Sequence, residues 1–109
     1  MFKYVGRALE VEYTTGYHFK IEYLTENTMR WTSLKERTDG LPMVGEETFY
    51  LHALGEEIFA INWVEDTGTV VSQTLDLAKG DVYAFMTWND PEARGGRAVL
   101  AHNGTAKLL

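Results

Sequence analysis

Glu65 is the residue of this chain best placed, by type and spacing, to move a proton. It shares strand parity with Phe59, Ile61 and Trp63, so a sheet that turns those three inward turns this carboxyl inward as well, near the mouth of whatever they enclose. A carboxyl partly stripped of water has a raised pKa and can serve as a general acid. The plainer alternatives are a cap on the Asp66-Thr67-Gly68 turn or a pairing with Arg30 across a sheet. Tyr13, Tyr17 and Tyr23 can point phenols into the same space, and Trp31 and Trp63 offer planar faces for a ligand, although core packing is the default use of an aromatic. Gln73, on the parity of Val71 and Leu75, is an interior amide that needs a partner, either Glu65 or a ligand.

Other chemistries find less footing. His18, His52 and His102 are far apart and lack H-x-H or H-x-x-x-H spacing, so no metal is expected, nor any other cofactor. With no cysteine, disulfides and thiolate nucleophiles are excluded. Gly95-Gly96 between Arg94 and Arg97 reads as a solvated turn, because no helix follows to bind an anion.

The elements that must hold these residues are strands. Tyr17, Phe19, Ile21 and Tyr23 alternate with His18, Lys20 and Glu22, the period of a half-buried strand. From Glu57 to Glu65, Phe59, Ile61 and Trp63 occupy one face and Ile58, Ala60 and Val64 the other; Tyr83 and Phe85 likewise oppose Val82, Ala84, Met86 and Trp88. Strands apolar on both faces, with no helix to cover them, call for a closed barrel or a second subunit. Turn residues delimit strands at Arg7 to Thr14, Tyr17 to Leu24, Thr28 to Glu36, Glu47 to Ala53, Glu57 to Val64, Thr69 to Leu77, Asp81 to Trp88 and Arg97 to His102. Asn103-Gly104 reads as a type I′ hairpin turn into a last strand at Thr105 to Leu109. Loops fall at Arg37 to Gly45 and Asn89 to Gly96, with at most one helical turn near Thr38 to Met43 or Pro91 to Arg94.

The expectation is one all-β domain over residues 1–109, an antiparallel up-and-down barrel of about eight or nine strands, wide enough for one small ligand. The 45% hydrophobic and 13% aromatic content suffice for such a core. A net charge of −6 argues against nucleic acid and anionic membranes as partners. No apolar run reaches the ~20 residues of a membrane span. MFKYVGRALEVEY lacks a secretory h-region, so a cytoplasmic location is expected.

Two stretches carry a family resemblance: VEYTTGYHFKIEYL (Val11 to Leu24) and EIFAINWVEDTGTVVSQTLDL (Glu57 to Leu77). They resemble the bacterial phenolic acid decarboxylases and the smaller MoaF-like proteins, which share a calycin (lipocalin-like) barrel. The second stretch is similar to a V-x-W-x-E-x-T-G-T-x-V-S segment, with matches at Trp63, Glu65, Thr67, Gly68, Thr69, Val71 and Ser72. The resemblance implies that Tyr13 anchors a substrate carboxylate and that Glu65 assists proton transfer. Apolar outward positions such as Val64 and Trp88, together with the dimers of the decarboxylases the chain resembles, imply a homodimer; Trp88, near a loop, is equally a candidate for the mouth. Val11 and Phe19 fall where the decarboxylases have further tyrosines, and Gly40-Leu41-Pro42 where they have a loop arginine, with Arg37 out of register.

Those substitutions favour binding over catalysis, because a carboxylate buried with too few donors costs several kcal/mol, of order 3–5. The leading expectation is a small-molecule-binding barrel for a compact hydrophobic or aromatic ligand, held by Tyr17, Phe19, Tyr23, Trp31, Phe59, Ile61, Trp63 and Gln73. The alternatives are a carboxy-lyase using Glu65 and Tyr13, and an interaction module that dimerises through its outer face.

Overall fold

A computed structural model describes residues 2–109. Eight strands follow one another around a closed antiparallel barrel: β1 (Ala8–Tyr13), β2 (His18–Tyr23), β3 (Thr28–Ser33), β4 (Val44–Ala53), β5 (Ile58–Val64), β6 (Val70–Asp76), β7 (Asp81–Asn89) and β8 (Arg97–Leu108). Each pairs with its neighbour in sequence, and β1 closes on β8 through Leu9 opposite Leu108 and Val11 opposite Ala106. Closure satisfies every edge, which an open sheet of this composition cannot do.

The alternation read from the sequence becomes inside and outside. Leu9, Val11 and Tyr13 of β1, Ile21 and Tyr23 of β2, and Phe59, Ile61 and Trp63 of β5 are buried. On β7 the inward residues Val82 and Ala84 are small, while the larger Tyr83 and Phe85 face out.

Most strand ends match the sequence reading to within one residue, and three depart further: β3 stops at Ser33 rather than Glu36, and β4 and β8 also differ. β4 begins at Val44 rather than Glu47, because Gly45 pairs with Trp31 and extends the ladder into the expected loop. The hairpin expected at Asn103-Gly104 does not form, and β8 runs unbroken through it, leaving eight strands rather than nine. Gly104 pairs with Val82 of β7 on one side and Tyr13 of β1 on the other, and it is not among the glycines with positive φ. Its lack of a Cβ serves close approach: that atom would lie 1.9 Å from the Glu12 carbonyl oxygen. Among the described residues the one helical turn is a 3₁₀ element at Arg94–Gly96.

The barrel has two unlike ends. The β2–β3, β4–β5 and β6–β7 turns surround an end plugged by Phe2, whose ring packs edge-on against Tyr23 (4.9 Å between centroids), Phe59 (5.2 Å) and Phe49 (6.2 Å). Burying such a ring contributes about 1.5–3 kcal/mol. Lys3 and Tyr4 both bond the Glu57 carboxylate, tying this segment to the start of β5. The opposite end, bounded by the β3–β4, β5–β6 and β7–β8 connections, stays open.

Candidate functional site

The open end leads into a cavity of about 390 Å³. Val11, Ile21 and Val71 supply apolar wall, Trp31 and Trp63 supply aromatic faces, and Gln73 lies among the innermost polar groups. Tyr13, Tyr17, Phe19 and Glu65 line it too, as strand parity predicts.

Tyr23, Phe59 and Ile61 point inward but do not line this cavity. Tyr23 and Phe59 belong to the plug around Phe2, and Ile61 is packed into the core at 1% exposure. Parity determines which face a residue takes, but its position along the strand determines its depth. Tyr23 ends β2 and Phe59 lies at the start of β5, both at the closed end. Trp88, expected at the mouth or at a subunit contact, shares parity with Ala84 and lines the mouth.

The polar groups are built in layers. Deepest is Gln73, whose side-chain Nε2 donates to the Tyr13 hydroxyl at 3.0 Å. Its partner is therefore Tyr13 rather than Glu65, and its carbonyl oxygen Oε1 is buried without a partner among the described residues. Burial pushes the Tyr13 pKa up to about 12, so the phenol keeps its proton at neutral pH. Since the phenol oxygen accepts from Gln73, its own O–H is free to donate.

His102 backs Tyr13 from β8, the two rings stacked 3.8 Å apart and nearly parallel. Its Nδ1 lies 2.7 Å from the Thr15 hydroxyl, and burial holds its pKa below the usual imidazole value. Sequence spacing tests a histidine for nearby metal partners and carries no signal for a stacking partner on another strand.

Nearer the mouth stand two indole–carboxylate pairs. Trp63 Nε1 donates to Glu65 at 3.0 Å, and Trp31 Nε1 donates to Glu47 at 2.9 Å. Phe49 opposes Trp63 in the β4–β5 ladder, so Glu47 and Glu65, two residues further toward the mouth on each chain segment, fall side by side. Arg30, the alternative partner for Glu65, instead pairs with Glu46. Gly45 makes room for the Trp31 indole, since a Cβ there would lie 2.7 Å from three ring atoms. Glu47 falls at the expected start of its strand, where the sequence does not single it out; the parity of Phe49 carries its signal.

Arg37 reaches the mouth from the β3–β4 loop, with its guanidinium carbon 5.8 Å from the Tyr17 ring centroid and 5.9 Å from that of Phe19. Asp39 engages it through two bonds of 2.9 and 3.2 Å. Arg37 is out of register in the linear comparison, but a loop has no fixed register, so its side chain still reaches the mouth. Arg97 braces the rim, its Nη2 donating to the Gly68 carbonyl at 3.0 Å and the Thr87 carbonyl at 2.9 Å.

Desolvation raises the pKa of both Glu65 and Glu47 above the usual carboxylate value. The indole bonds oppose this shift in each case, while for Glu65 the neighbouring Glu47 charge adds to it. A raised carboxyl favours the fold while protonated, so this contribution is complete below the unfolded value of about 4.3 and is lost as pH rises through the folded values. The double variant Glu47→Gln, Glu65→Gln is therefore expected to gain stability over the parent as pH rises from 4 toward 7. Urea midpoints across that range check this, and parallel pH profiles for the two proteins would contradict it.

The fold and site define an up-and-down β-barrel with one plugged end and one open, lined cavity. The chain belongs to the MoaF-like family, whose model matches residues 5–97. No curated protein matches the chain in sequence. Among solved structures it is similar to a protein of Burkholderia vietnamiensis, provisionally described as a beta-lactamase, with a TM-score of 0.80. That likeness covers 98% of this chain and 96% of the other at 21% identity, and it shows a shared fold. No helix among the described residues is long and apolar enough to cross a membrane.

Proposed function

We propose that this barrel binds one compact, largely apolar small molecule, with an aromatic ring or comparable flat body, through its open end. The observation that carries this reading is the cavity of about 390 Å³, walled by Trp31, Trp63, Phe19 and aliphatic side chains and furnished with a few converging polar groups. This is the ordinary make-up of a ligand pocket, which spans about 300–1,000 Å³. Trp31, Trp63 and Trp88 all line it, so intrinsic fluorescence reports occupancy directly. A ligand at 100 times its Kd should also stabilise the fold by about 2.7 kcal/mol. A panel of flat aromatic compounds that leaves both the emission and the Tm unchanged would overturn this reading.

A lyase is the second reading, favoured by the raised pKa of Glu65 in the same cavity as the Tyr13 phenol. Glu65 would donate a proton while Tyr13 anchors the substrate. Incubation with hydroxycinnamic acids, followed by loss of their ultraviolet band, tests it, and no turnover would exclude it. The mouth weighs against such acids, because Glu46, Glu47, Glu65 and Asp66 all border the entrance that a carboxylate would have to pass.

A cytoplasmic homodimer is part of the same proposal. Across the outside of β5–β8, the ladder aligns Asn62, Ser72, Phe85 and Ala101 in one row and Val64, Val70, Thr87 and Val99 in the next, with no charged residue in either. Val64 and Val99 are 60% and 56% exposed. The outside of β1–β4 instead carries Glu10 beside Lys20, and Glu22 beside Arg30 and Glu46. A second copy meeting the β5–β8 face, bordered by Arg97 bonded to Thr87 but free of carboxylates in both rows, keeps the acidic charges of two −6 chains apart. Light scattering should give twice the chain mass for the parent and a monomer for Phe85→Glu combined with Val99→Lys. A parent that stays monomeric at high concentration would exclude the dimer.

A further inference from the structure

Five carboxylates and one guanidinium line the cavity: Asp39, Glu46, Glu47, Glu65 and Asp66 against Arg37. Arg37 is already paired with Asp39, and Glu46 with Arg30. Neither Glu47 nor Glu65 forms an ion pair among the described residues, although the Arg37 charge is felt at Glu65, and each is held at Oε2 by a single indole N–H. Oε1 of each makes no hydrogen bond to the described residues. Two half-satisfied carboxylates side by side, both partly removed from water, form an acceptor pair without a donor.

Two further observations point to what would complete it. The aromatic wall already accepts a cation, since the Arg37 guanidinium lies within the ~6 Å cation–π range of both Tyr17 and Phe19. Deeper in, Gln73 Oε1 is an orphaned acceptor on a side chain only 2% exposed, and it belongs to the cavity lining. Cavity acceptors thus stand unpartnered at both depths, with the Tyr13 O–H a free donor beside Gln73.

We propose that the cavity selects a protonated amine: an ammonium group carried on a compact aromatic or apolar body. The ammonium would donate to Glu47 and Glu65 at the mouth, and the body would lie between Trp31 and Trp63. A hydroxyl or N–H at the far end of the body would find Gln73 and Tyr13. A carboxylic acid of the same shape would bring its charge against Glu47, Glu65 and Asp66 with only the already paired Arg37 to offset it. This inference rests on the reading of the cavity as a ligand site and adds the charge of the ligand.

The test compares three probes of one shape on the full chain at pH 7: 2-phenylethylamine, 2-phenylethanol and 3-phenylpropionate, titrated by tryptophan fluorescence and calorimetry. The amine is expected to bind at least about tenfold more tightly than the alcohol, and the acid weakest of the three. Glu47→Gln and Glu65→Gln should each weaken the amine about fivefold or more and leave the alcohol within about twofold. Alcohol or acid binding as well as the amine would overturn the cation preference while leaving the ligand pocket standing. Failure of all three to bind at millimolar concentration would overturn both. Should either variant fail to fold, the ranking of the three probes on the parent decides the matter alone.

Discussion

Gly104→Ala is expected to destabilise the barrel by more than about 4 kcal/mol, among the largest effects a single methyl can have. The added Cβ would meet the Glu12 carbonyl oxygen at 1.9 Å and the Tyr13 Cα at 2.7 Å. Both are backbone atoms of β1, so no side-chain rotation relieves the collision and the β8–β1 seam must part. That seam closes the barrel, and opening it exposes two strand edges at once. For a domain of this size a loss of this kind lowers Tm by roughly 15–30 °C, at about 4–8 °C per kcal/mol. Gly68→Ala is the matched control. Gly68 has φ of 88° with no neighbour within 4 Å of an added Cβ, so alanine there meets only local strain of about 1–2 kcal/mol. Urea unfolding of the two variants separates the mechanisms. A Gly104→Ala loss no greater than that of Gly68→Ala would show that residue 104 behaves as a turn glycine.

Gly45→Ala should damage the site and the fold together. Its Cβ would stand 2.7 Å from the Cε2, Cζ2 and Nε1 atoms of Trp31. The indole is rigid and wedged at 7% exposure, so it must swing away, and its bond to Glu47 breaks as it does. Overpacking of this kind costs about 1–3 kcal/mol. Ligand affinity should fall with it, since the displaced ring either enters the cavity or leaves its wall. A double-mutant cycle isolates the cause: in a Trp31→Ala background, Gly45→Ala should cost close to nothing, because the clashing partner is gone. Equal losses in both backgrounds would place the role of Gly45 in the backbone rather than beneath the indole.

Much of this molecule could be read in one dimension. Alternation over Tyr17 to Leu24 and Glu57 to Glu65 gave the strands and their inward faces. The two-sided apolar character of residues 58–64 and 82–88 implied closure, and the shared parity of Trp63 and Glu65 placed a carboxyl at the mouth. What misled was local chemistry detached from its neighbours. Asn103-Gly104 has the composition of a tight turn, yet Gly104 is there to let two strands approach. Tyr23 and Phe59 have the parity of cavity residues, yet they pack around Phe2, whose plugging role no periodicity announces.

The amino-acid sequence by itself determined that this chain is a small all-β domain with an apolar interior and an acidic character, because period and composition act along the chain. Only the tertiary structure decided which end of the barrel is plugged and which is open. It alone set Glu47 beside Glu65, brought Arg37 over Tyr17, and stacked His102 on Tyr13. The physical reason is that depth, pairing and loop placement depend on register between strands distant in sequence. Register is chosen by the packing of the whole closed sheet rather than by any one of its segments.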